Sequence, residues 1–228
     1  ASAVPRPIFS LRVVVTYPQQ FDGSVEEQWL VSMAFGDRDD VGYAAAPRQR
    51  IEKLTLMPYG AVAALVARKP AGGGEVELAP PLVGRAYATL PLPITTGLQV
   101  HLNGRWEIAS DRNSLAPDDA KPRHEWNLRL AGRVCAGAYA RLLRELANGF
   151  PLAGLELSAA QRGEAVHKLL PPSTIDGAVF GGAAHGTMKR LLQPTHGTWK
   201  SFERHGGSFG GQTKVAVVHT TAGEWASA

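Results

Sequence analysis

The first half of the chain contains several apolar and β-branched runs of the length that strands have. Residues 9–16 read FSLRVVVT and residues 27–35 read EQWLVSMAF, and both patterns predict β-strands. Residues 84–90 predict another strand. Pro91 and Pro93 must end this strand or place it at a sheet edge, because proline cannot donate to a strand ladder. These runs predict a mostly antiparallel sheet.

Turn residues between the runs predict two hairpins. Strand-like residues on either side of Met-Pro-Tyr-Gly predict a hairpin with its bend at Pro58–Gly60. Residues 98–102 and 105–108 flank Asn103-Gly104, and an Asn-Gly pair favours a tight turn because both positions tolerate positive φ. The polar segment 36–50 is expected to be a surface loop.

An apolar residue at every fourth position predicts a long helix over residues 123–148. The stripe consists of Trp126, Leu130, Val134, Ala138, Leu142 and Leu146. Arg129, Arg133, Arg141 and Arg144 lie mostly off it. Because the stripe is narrow and rich in alanine, the helix is expected to pack on the sheet rather than on a membrane.

The last third of the chain has weaker patterns. Ser158 and Gln161 form a capping box for a helix that reaches about Leu170. Residues 173–192 give a third helical pattern, weakened by their glycines, and residues 213–220 predict a strand that turns back into Glu224-Trp225. This part is therefore expected to add helices and a short strand pair.

These elements predict an α+β fold. A mostly antiparallel sheet with a long packed helix is expected over residues 1–150, followed by a smaller helical and strand extension over 151–228. A chain of 228 residues is long enough to bury a substantial core. Because it begins without Met and ends just after a strand-like run, we expect a fragment truncated at both ends.

Composition excludes several classes of protein. Cys135 is the single cysteine, so no internal disulfide can form, and we interpret it as a small apolar helix residue. No apolar run reaches the roughly 18 residues that a membrane span needs, and the N-terminus lacks a signal-peptide core. We expect a cytoplasmic protein without a membrane partner.

The net charge of +4 is spread out, so nucleic acid is not expected as a partner. An RNA-associated basic module remains an alternative.

Four segments carry a resemblance to a known family. They are EEQWLVSMAFG, GRAYATLPLPITTGLQVHLNGRWEIASDRNSL, HEWNLRLAGRVCAGAYARLLREL and VAVVHTTAGEWASA. In this order they resemble the region that follows the ATP-binding domain in sacsin-like proteins. Those proteins are giant relatives of the ninety-kilodalton heat-shock chaperone, in the GHKL ATPase superfamily. The resemblance is strong over about 1–150 and weaker beyond.

The resemblance implies a function for the chain as a middle segment. It would couple an upstream domain, which holds ATP and Mg, to conformational change, with client proteins or co-chaperones as further partners. The family's nucleotide signatures, a helical Glu…Asn and Asp-x-Gly-x-Gly, do not occur here. This chain is therefore expected to bind no cofactor or metal and not to be an enzyme by itself.

Two basic residues are candidates for contacting phosphate. Relatives in the superfamily use a cation from the following domain to reach the γ-phosphate, where it stabilises transition-state charge. Arg112 occupies the matching position, but the family's Asn-Arg-Arg is Asp111-Arg112-Asn113 here. Asp111 could therefore pair with Arg112 at the surface. Lys214, in Gln-Thr-Lys, resembles the phosphate-contacting loop of gyrase-type relatives and is the second candidate.

Other readings of the sequence remain open. The chain could be a non-catalytic scaffold of a very large protein, or a serine hydrolase through Ser208, since residues 206–210 fit G-x-S-x-G.

The seven histidines have no helical metal-binding spacing, and His101 is expected to be a neutral ring on a strand. The larger rings, Trp29, Trp106 and Trp126, are expected to be core anchors. Were they exposed near arginines, a client or nucleic-acid surface would be indicated.

Overall fold

Seven strands form one sheet among the residues that the computed structural model describes, which are 7–16, 24–47, 54–193, 217–219 and 225–227. The strands are β1 (Ile8–Thr16), β2 (Ser24–Phe35), β3 (Tyr59–Pro70), β4 (Glu77–Leu78), β5 (Arg85–Ala88), β6 (Leu90–Thr95) and β7 (His101–Gly104). A separate antiparallel pair consists of β8 (Val217–His219) and β9 (Trp225–Ser227), and β8 lies inside the strand predicted over 213–220.

Four helices accompany this sheet in the described part of the chain. They are α1 (Arg38–Ala45), the long α2, α3 (Ala159–Leu169) and α4 (Ala178–Leu192). Helix α2 has three consecutive parts, which are α-helical Arg123–Arg129, π-helical Leu130–Cys135 and α-helical Ala136–Ala147. The long helix predicted over 123–148 is therefore confirmed. None of these helices has the length and apolar character that crossing a bilayer requires.

The sheet is mixed but mostly antiparallel. Its strand order is β1-β2-β3-β7-β5-β6, with β4 beside β3, and β5 with β7 is the parallel pair. The prolines of β6, Pro91 and Pro93, lie on an edge strand, as predicted from their missing N–H groups. Helices pack against one face of this sheet, which confirms the α+β fold.

The π-helical part of α2 explains how a four-residue repeat stays on one face. In a regular α-helix each step of four residues rotates the side chain by about 40° beyond a full turn. A π-helical turn contains more residues, so Leu130–Cys135 offsets this drift. All six stripe residues are consequently buried, with exposed fractions between 0% and 3%.

The apolar surface of α2 is broader than the predicted narrow stripe. Tyr139 and Leu143, which lie off the stripe, are also buried, because both α3 and α4 pack against α2. Gly186 of α4 lies against the carbonyl oxygen of Gly132, where a Cβ atom would collide. The glycines that weakened the helical prediction for 173–192 thus allow two helices to approach closely.

The predicted loop over 36–50 is wrong, because its described part contains helix α1. Asp37 caps this helix by accepting hydrogen bonds from the N–H groups of Asp39 and Asp40, at 3.0 and 3.1 Å. The Asp40 carboxylate accepts the Asp37 N–H in return, at 3.1 Å. This reciprocal capping box uses aspartate at both positions, and the sequence reading took these aspartates for loop residues.

The hairpin predicted at Pro58–Gly60 is also wrong. Residues Tyr59–Pro70 form one continuous strand, β3, antiparallel to β2, and α1 lies in the connection between the two strands. A Cβ atom on Gly60 would lie 2.8 Å from the Cys135 sulfur. Gly60 therefore serves close approach of the sheet to α2 rather than a turn.

The turn predicted at Asn103-Gly104 is wrong for the same reason. Both residues belong to β7 and pair with Ala61 and Gly60 of β3. Neither is among the described residues with positive φ, which the predicted turn requires. A Cβ atom on Gly104 would lie 3.0 Å from a methyl of Leu130, so this glycine also accommodates α2.

One hydrophobic core joins the sheet to the helices. Cys135 is fully buried in it, and burial raises the pKa of its thiol to about 12, which confirms the interpretation as an apolar core residue. Trp106 and Trp126 are also core residues, as predicted. Side chains of α3 and α4 contribute to the same core; the domain boundary near residue 150 stays a prediction.

Candidate functional site

A short antiparallel unit connects β7 to α2, and we call residues 107–116 the Arg112 loop. The N–H of Ala116 donates to the Glu107 carbonyl at 2.9 Å, and the N–H of Ala109 donates to the Ser114 carbonyl at 2.9 Å. The hairpin that the sequence placed at Asn103-Gly104 therefore lies several residues further along the chain. Its tip is Asp-Arg-Asn, a sequence without glycine.

The tip holds Arg112 in an unusual backbone conformation. Arg112 has φ +59°, a left-handed conformation that costs about 1–2 kcal/mol for a residue with a Cβ. Its N–H donates to the Ala109 carbonyl at 3.0 Å. The Asp111 carboxylate accepts the N–H of Asn113 at 3.0 Å and so closes an Asx turn. Local hydrogen bonds thus fix an arginine at an exposed tip.

The predicted pairing of Arg112 with Asp111 is not present. None of the ion pairs formed by the described residues includes Arg112, and its side chain is exposed. The guanidinium therefore keeps its donors available for a ligand or partner. Arginine presents these donors in a planar fork that suits phosphate and carboxylate.

Helix α2 anchors the base of the Arg112 loop. Asn127 is completely buried; its side-chain oxygen accepts the Glu107 N–H at 2.9 Å, and its amide nitrogen donates to the Glu107 carbonyl at 2.7 Å. Arg123 donates to the Glu107 carboxylate at 3.0 Å and to the Ile108 carbonyl at 2.6 Å. A displacement of the loop would therefore be transmitted to the start of α2.

The remaining sequence candidates are not all testable in this structure. Lys214 and Ser208 lie outside the described residues. His219 lies in β8, of which only the backbone is described. Among the described residues no group of three or more histidine, cysteine, aspartate or glutamate side chains could hold a metal ion.

The sequence did not predict a second arginine-rich cluster, which we call the α1–α2 clamp. Arg129 and Arg133 both direct Nε to the same Asp40 oxygen, each at 2.7 Å. Arg133 also reaches the Asp37 carboxylate at 2.7 Å. The signal in the sequence was the Asp37-x-x-Asp40 spacing, which a capping box requires.

Short ion pairs with buried or capping carboxylates commit these clamp arginines to the fold. Burial alone would raise the pKa of Asp37, but the N–H of Asp40 and the charge of Arg133 outweigh it and lower that pKa. Burial alone would lower the pKa of Arg133, but the Asp40 and Asp37 carboxylates raise it. Asp40 itself is only 3% exposed. Both clamp arginines are thus held by carboxylates, whereas the guanidinium of Arg112 is not.

Aromatic rings lie on the sheet face that the helices do not cover. Trp29 stacks on His101 with ring centroids 5.6 Å apart, and Tyr87 meets His101 edge-on at 5.2 Å. Trp29 is half-buried, so its prediction as a core anchor is wrong. Burial and the neighbouring Arg85 lower the pKa of His101, and its Nδ1 accepts the Arg85 N–H at 3.1 Å, as a neutral ring does.

A depression of about 540 Å³ lies beside the end of α2. Its lining includes the apolar residues Phe150, Leu152, Leu155 and Leu157 together with Glu156 and Arg162. Arg162 donates to the Leu157 carbonyl at 2.6 Å. The depression contains the opposite charges of Glu156 and Arg162, so its electrostatics favours neither anions nor cations.

The fold and site describe an α+β domain that presents one arginine on an anchored loop. Comparison with known proteins gives one informative relative. The chain is 31% identical to human sacsin over 125 residues, which cover 52% of this chain and 2% of sacsin. The chain thus contains a region related to a small part of that very long protein. No family model matches the chain, and no solved structure matches it.

Proposed function

We propose that this chain is the middle segment of a sacsin-like, chaperone-type ATPase. In this proposal it couples the nucleotide state of an upstream ATP-binding domain to conformational change. The similarity to human sacsin supports the sacsin-like part of the proposal. The exposed Arg112, held at the tip of an anchored loop, is the single structural observation that carries the coupling part.

The chemistry of Arg112 fits the proposed role. Phosphoryl transfer spreads charge over the equatorial oxygens, and a positioned cation from a neighbouring domain stabilises that charge. The local hydrogen bonds of Arg112 and Asn113 reduce the conformational freedom that a contact with phosphate would otherwise have to remove. ATP and Mg would be held upstream, so this chain would contribute a cation and no nucleotide pocket of its own.

The anchoring of the loop supplies a physical path for the coupling. A displacement of Arg112 would move the base of the loop at Glu107. The backbone of Glu107 is hydrogen-bonded to the buried Asn127. Asn127 belongs to α2, which packs on both the sheet and α4. Such a contiguous packed network can convert a phosphate contact into a rigid-body movement of the whole unit.

The test uses the full-length polypeptide that contains this chain. Arg112→Ala should slow ATP hydrolysis by at least about tenfold, and Arg112→Lys should recover part of the loss because it restores the charge. Arg105→Ala is the matched control, since Arg105 is also exposed and lies on the same connection. Equal rates for Arg112→Ala and Arg105→Ala, with unchanged folding, would reject the phosphate role.

A non-catalytic protein-binding module is the second candidate function. The observation that favours it is the sheet face without helices, where Trp29, His101 and Tyr87 are only partly buried. Half-buried aromatic rings are frequent at protein interfaces. If the full-length polypeptide hydrolyses no ATP while Trp29→Ala abolishes binding of a protein partner, this second function is the correct one.

A further inference from the structure

The two edges of the sheet are built differently. Edge strand β6 contains Pro91 and Pro93, and proline is one of the devices that prevent further strands from pairing. Edge strand β1 has nine residues and no internal proline. It also carries four exposed apolar side chains, which are Phe9 (37%), Leu11 (44%), Val13 (40%) and Val14 (54%). Proline therefore protects β6, whereas β1 has no internal proline and a single charged residue, Arg12.

The hydrogen-bonding direction of β1 follows from its pairing with β2. The N–H of Met33 donates to the Pro7 carbonyl at 3.0 Å, so the backbone of residue 7 faces β2. Because backbone direction alternates along a strand, odd-numbered residues face β2 and even-numbered residues face the free edge. Those even-numbered residues are Ile8, Ser10, Arg12, Val14 and Thr16. Within the described chain no strand pairs with this side.

We propose that β1 pairs antiparallel with β1 of a second copy of this chain, with the two-fold axis at Leu11. In this register apolar residues face apolar ones and polar residues face polar ones. The pairs are Ile8 with Val14, Phe9 with Val13, Ser10 with Arg12, and Leu11 with Leu11. The even-numbered residues then form the hydrogen-bonded pairs, as the free backbone groups require.

Avoidance of unfavourable pairs involving Arg12 selects this register over its neighbours. An axis at Arg12 would place the two Arg12 side chains opposite each other, and like charges directly opposite are destabilising. An axis at Ser10 would place Arg12 opposite Ile8. With the axis at Leu11, Arg12 faces a serine hydroxyl, while Glu26 of its own sheet lies 4.0 Å away.

The pairing also joins exposed apolar surface. Leu11 and Phe9 lie opposite Trp29 and Val31 of β2, so they share the sheet face that the helices do not cover. Across the two-fold axis these side chains would form one continuous stripe over both copies. The inference is independent of Arg112 and holds whether or not the chain takes part in ATP hydrolysis.

Cysteine cross-linking of the intact 228-residue chain tests the register. In the proposed dimer the two Leu11 residues form a non-hydrogen-bonded pair with Cα atoms about 4.5 Å apart, close enough for a disulfide. Leu11→Cys should cross-link under mild oxidation at least about tenfold faster than Val13→Cys, because the two Val13 residues lie about 14 Å apart. The native Cys135 is buried, and burial raises its pKa to about 12, so it does not interfere.

Mixed samples provide the matched control. Phe9→Cys and Val13→Cys should each cross-link slowly alone and rapidly when mixed, because residue 9 faces residue 13 of the second copy. Sedimentation of the wild-type chain should show a dimer, and Leu11→Lys should shift it to a monomer with an unchanged circular dichroism spectrum. A monomeric wild type, or equal cross-linking of Leu11→Cys and Val13→Cys, would overturn the proposal. A dimer that persists in Leu11→Lys would overturn it as well.

Discussion

The α1–α2 clamp and the Arg112 loop are both attached to helix α2, but they use arginine in opposite ways. In the α1–α2 clamp, Arg129 and Arg133 emerge from α2 and are held by the buried carboxylate of Asp40. In the Arg112 loop, the arginine at the tip is exposed and forms none of the ion pairs of the described residues, while the loop itself is anchored on α2. The clamp uses positive charge to hold the fold, whereas the loop presents it to the surroundings.

The difference shows how a structural arginine can be distinguished from a functional candidate. Structural arginines meet a carboxylate that has few other partners, and burial makes that carboxylate dependent on them. A functional candidate is fixed by its backbone and leaves its side chain unpaired. Arg112 fits the second description, because its local hydrogen bonds involve only main-chain atoms of the arginine.

The largest effect is expected when the clamp is broken. Asp40→Ala should lower the free energy of unfolding by about 3 kcal/mol. It leaves Arg129 without its carboxylate, takes one of the carboxylates from Arg133 and removes half of the capping box. Urea denaturation measures this loss. The neighbouring Asp39→Ala is the control, since its side chain is 80% exposed and such a change should cost less than about 0.5 kcal/mol. Equal losses for both variants would show that the clamp does not hold α1.

A smaller effect is expected at the anchor of the Arg112 loop. Asn127→Ala leaves the Glu107 N–H without its acceptor, while the Glu107 carbonyl keeps the N–H of Ala116. This should cost about 2 kcal/mol. Asn113→Ala at the exposed tip serves as the comparison, because its backbone contact with Asp111 persists. If Asn127→Ala is as stable as Asn113→Ala in urea, the loop is not anchored on α2 in the way described.

Acid should weaken the α1–α2 clamp by protonating Asp37. The folded-state pKa of Asp37 is lowered from its ordinary value of 3.8, so its contribution to stability is present above that value and is lost as pH falls through the lower folded pKa. The stability difference between wild type and Asp37→Asn should therefore shrink below about pH 4. Urea denaturation at a series of pH values checks this, and a difference that stays constant with pH would contradict it.

The sequence was sufficient for elements with strong periodicity or clear caps. The four-residue stripe predicted α2, and Ser158 with Gln161 predicted α3, where both capping hydrogen bonds form at 2.9 and 3.2 Å. These signals depend on neighbours along the chain, so tertiary packing does not alter them. The prolines of β6 similarly predicted an edge position, because their lack of an N–H does not depend on context.

The sequence was misleading where glycine serves packing instead of turning. Gly60 and Gly104 suggested hairpins, yet both lie in strands where a side chain would collide with α2. Such a contact depends on residues far away in the chain and leaves no local pattern. The turn at Arg112 was missed because it contains no glycine, and a left-handed conformation is uncommon for other residues.

The site was only partly predictable. Arg112 was identified through a family resemblance, and the structure adds its exposure, its backbone conformation and its anchoring by Asn127. The expected pairing with Asp111 does not form, and the Asp111 carboxylate instead accepts the Asn113 N–H. Lys214 remains a prediction, since it lies outside the described residues.

The smallest effect on stability is expected for Arg112→Gly, and this variant tests the central claim most directly. Glycine adopts the φ of +59° without strain, so the variant should unfold at equal or higher denaturant concentration, with a gain of up to about 1 kcal/mol. In the full-length polypeptide the same variant should hydrolyse ATP at least about tenfold more slowly. Lower hydrolysis with undiminished stability is the result that the proposed function predicts. Full hydrolysis in Arg112→Gly would contradict it and would leave Arg112 as a surface residue of a binding module.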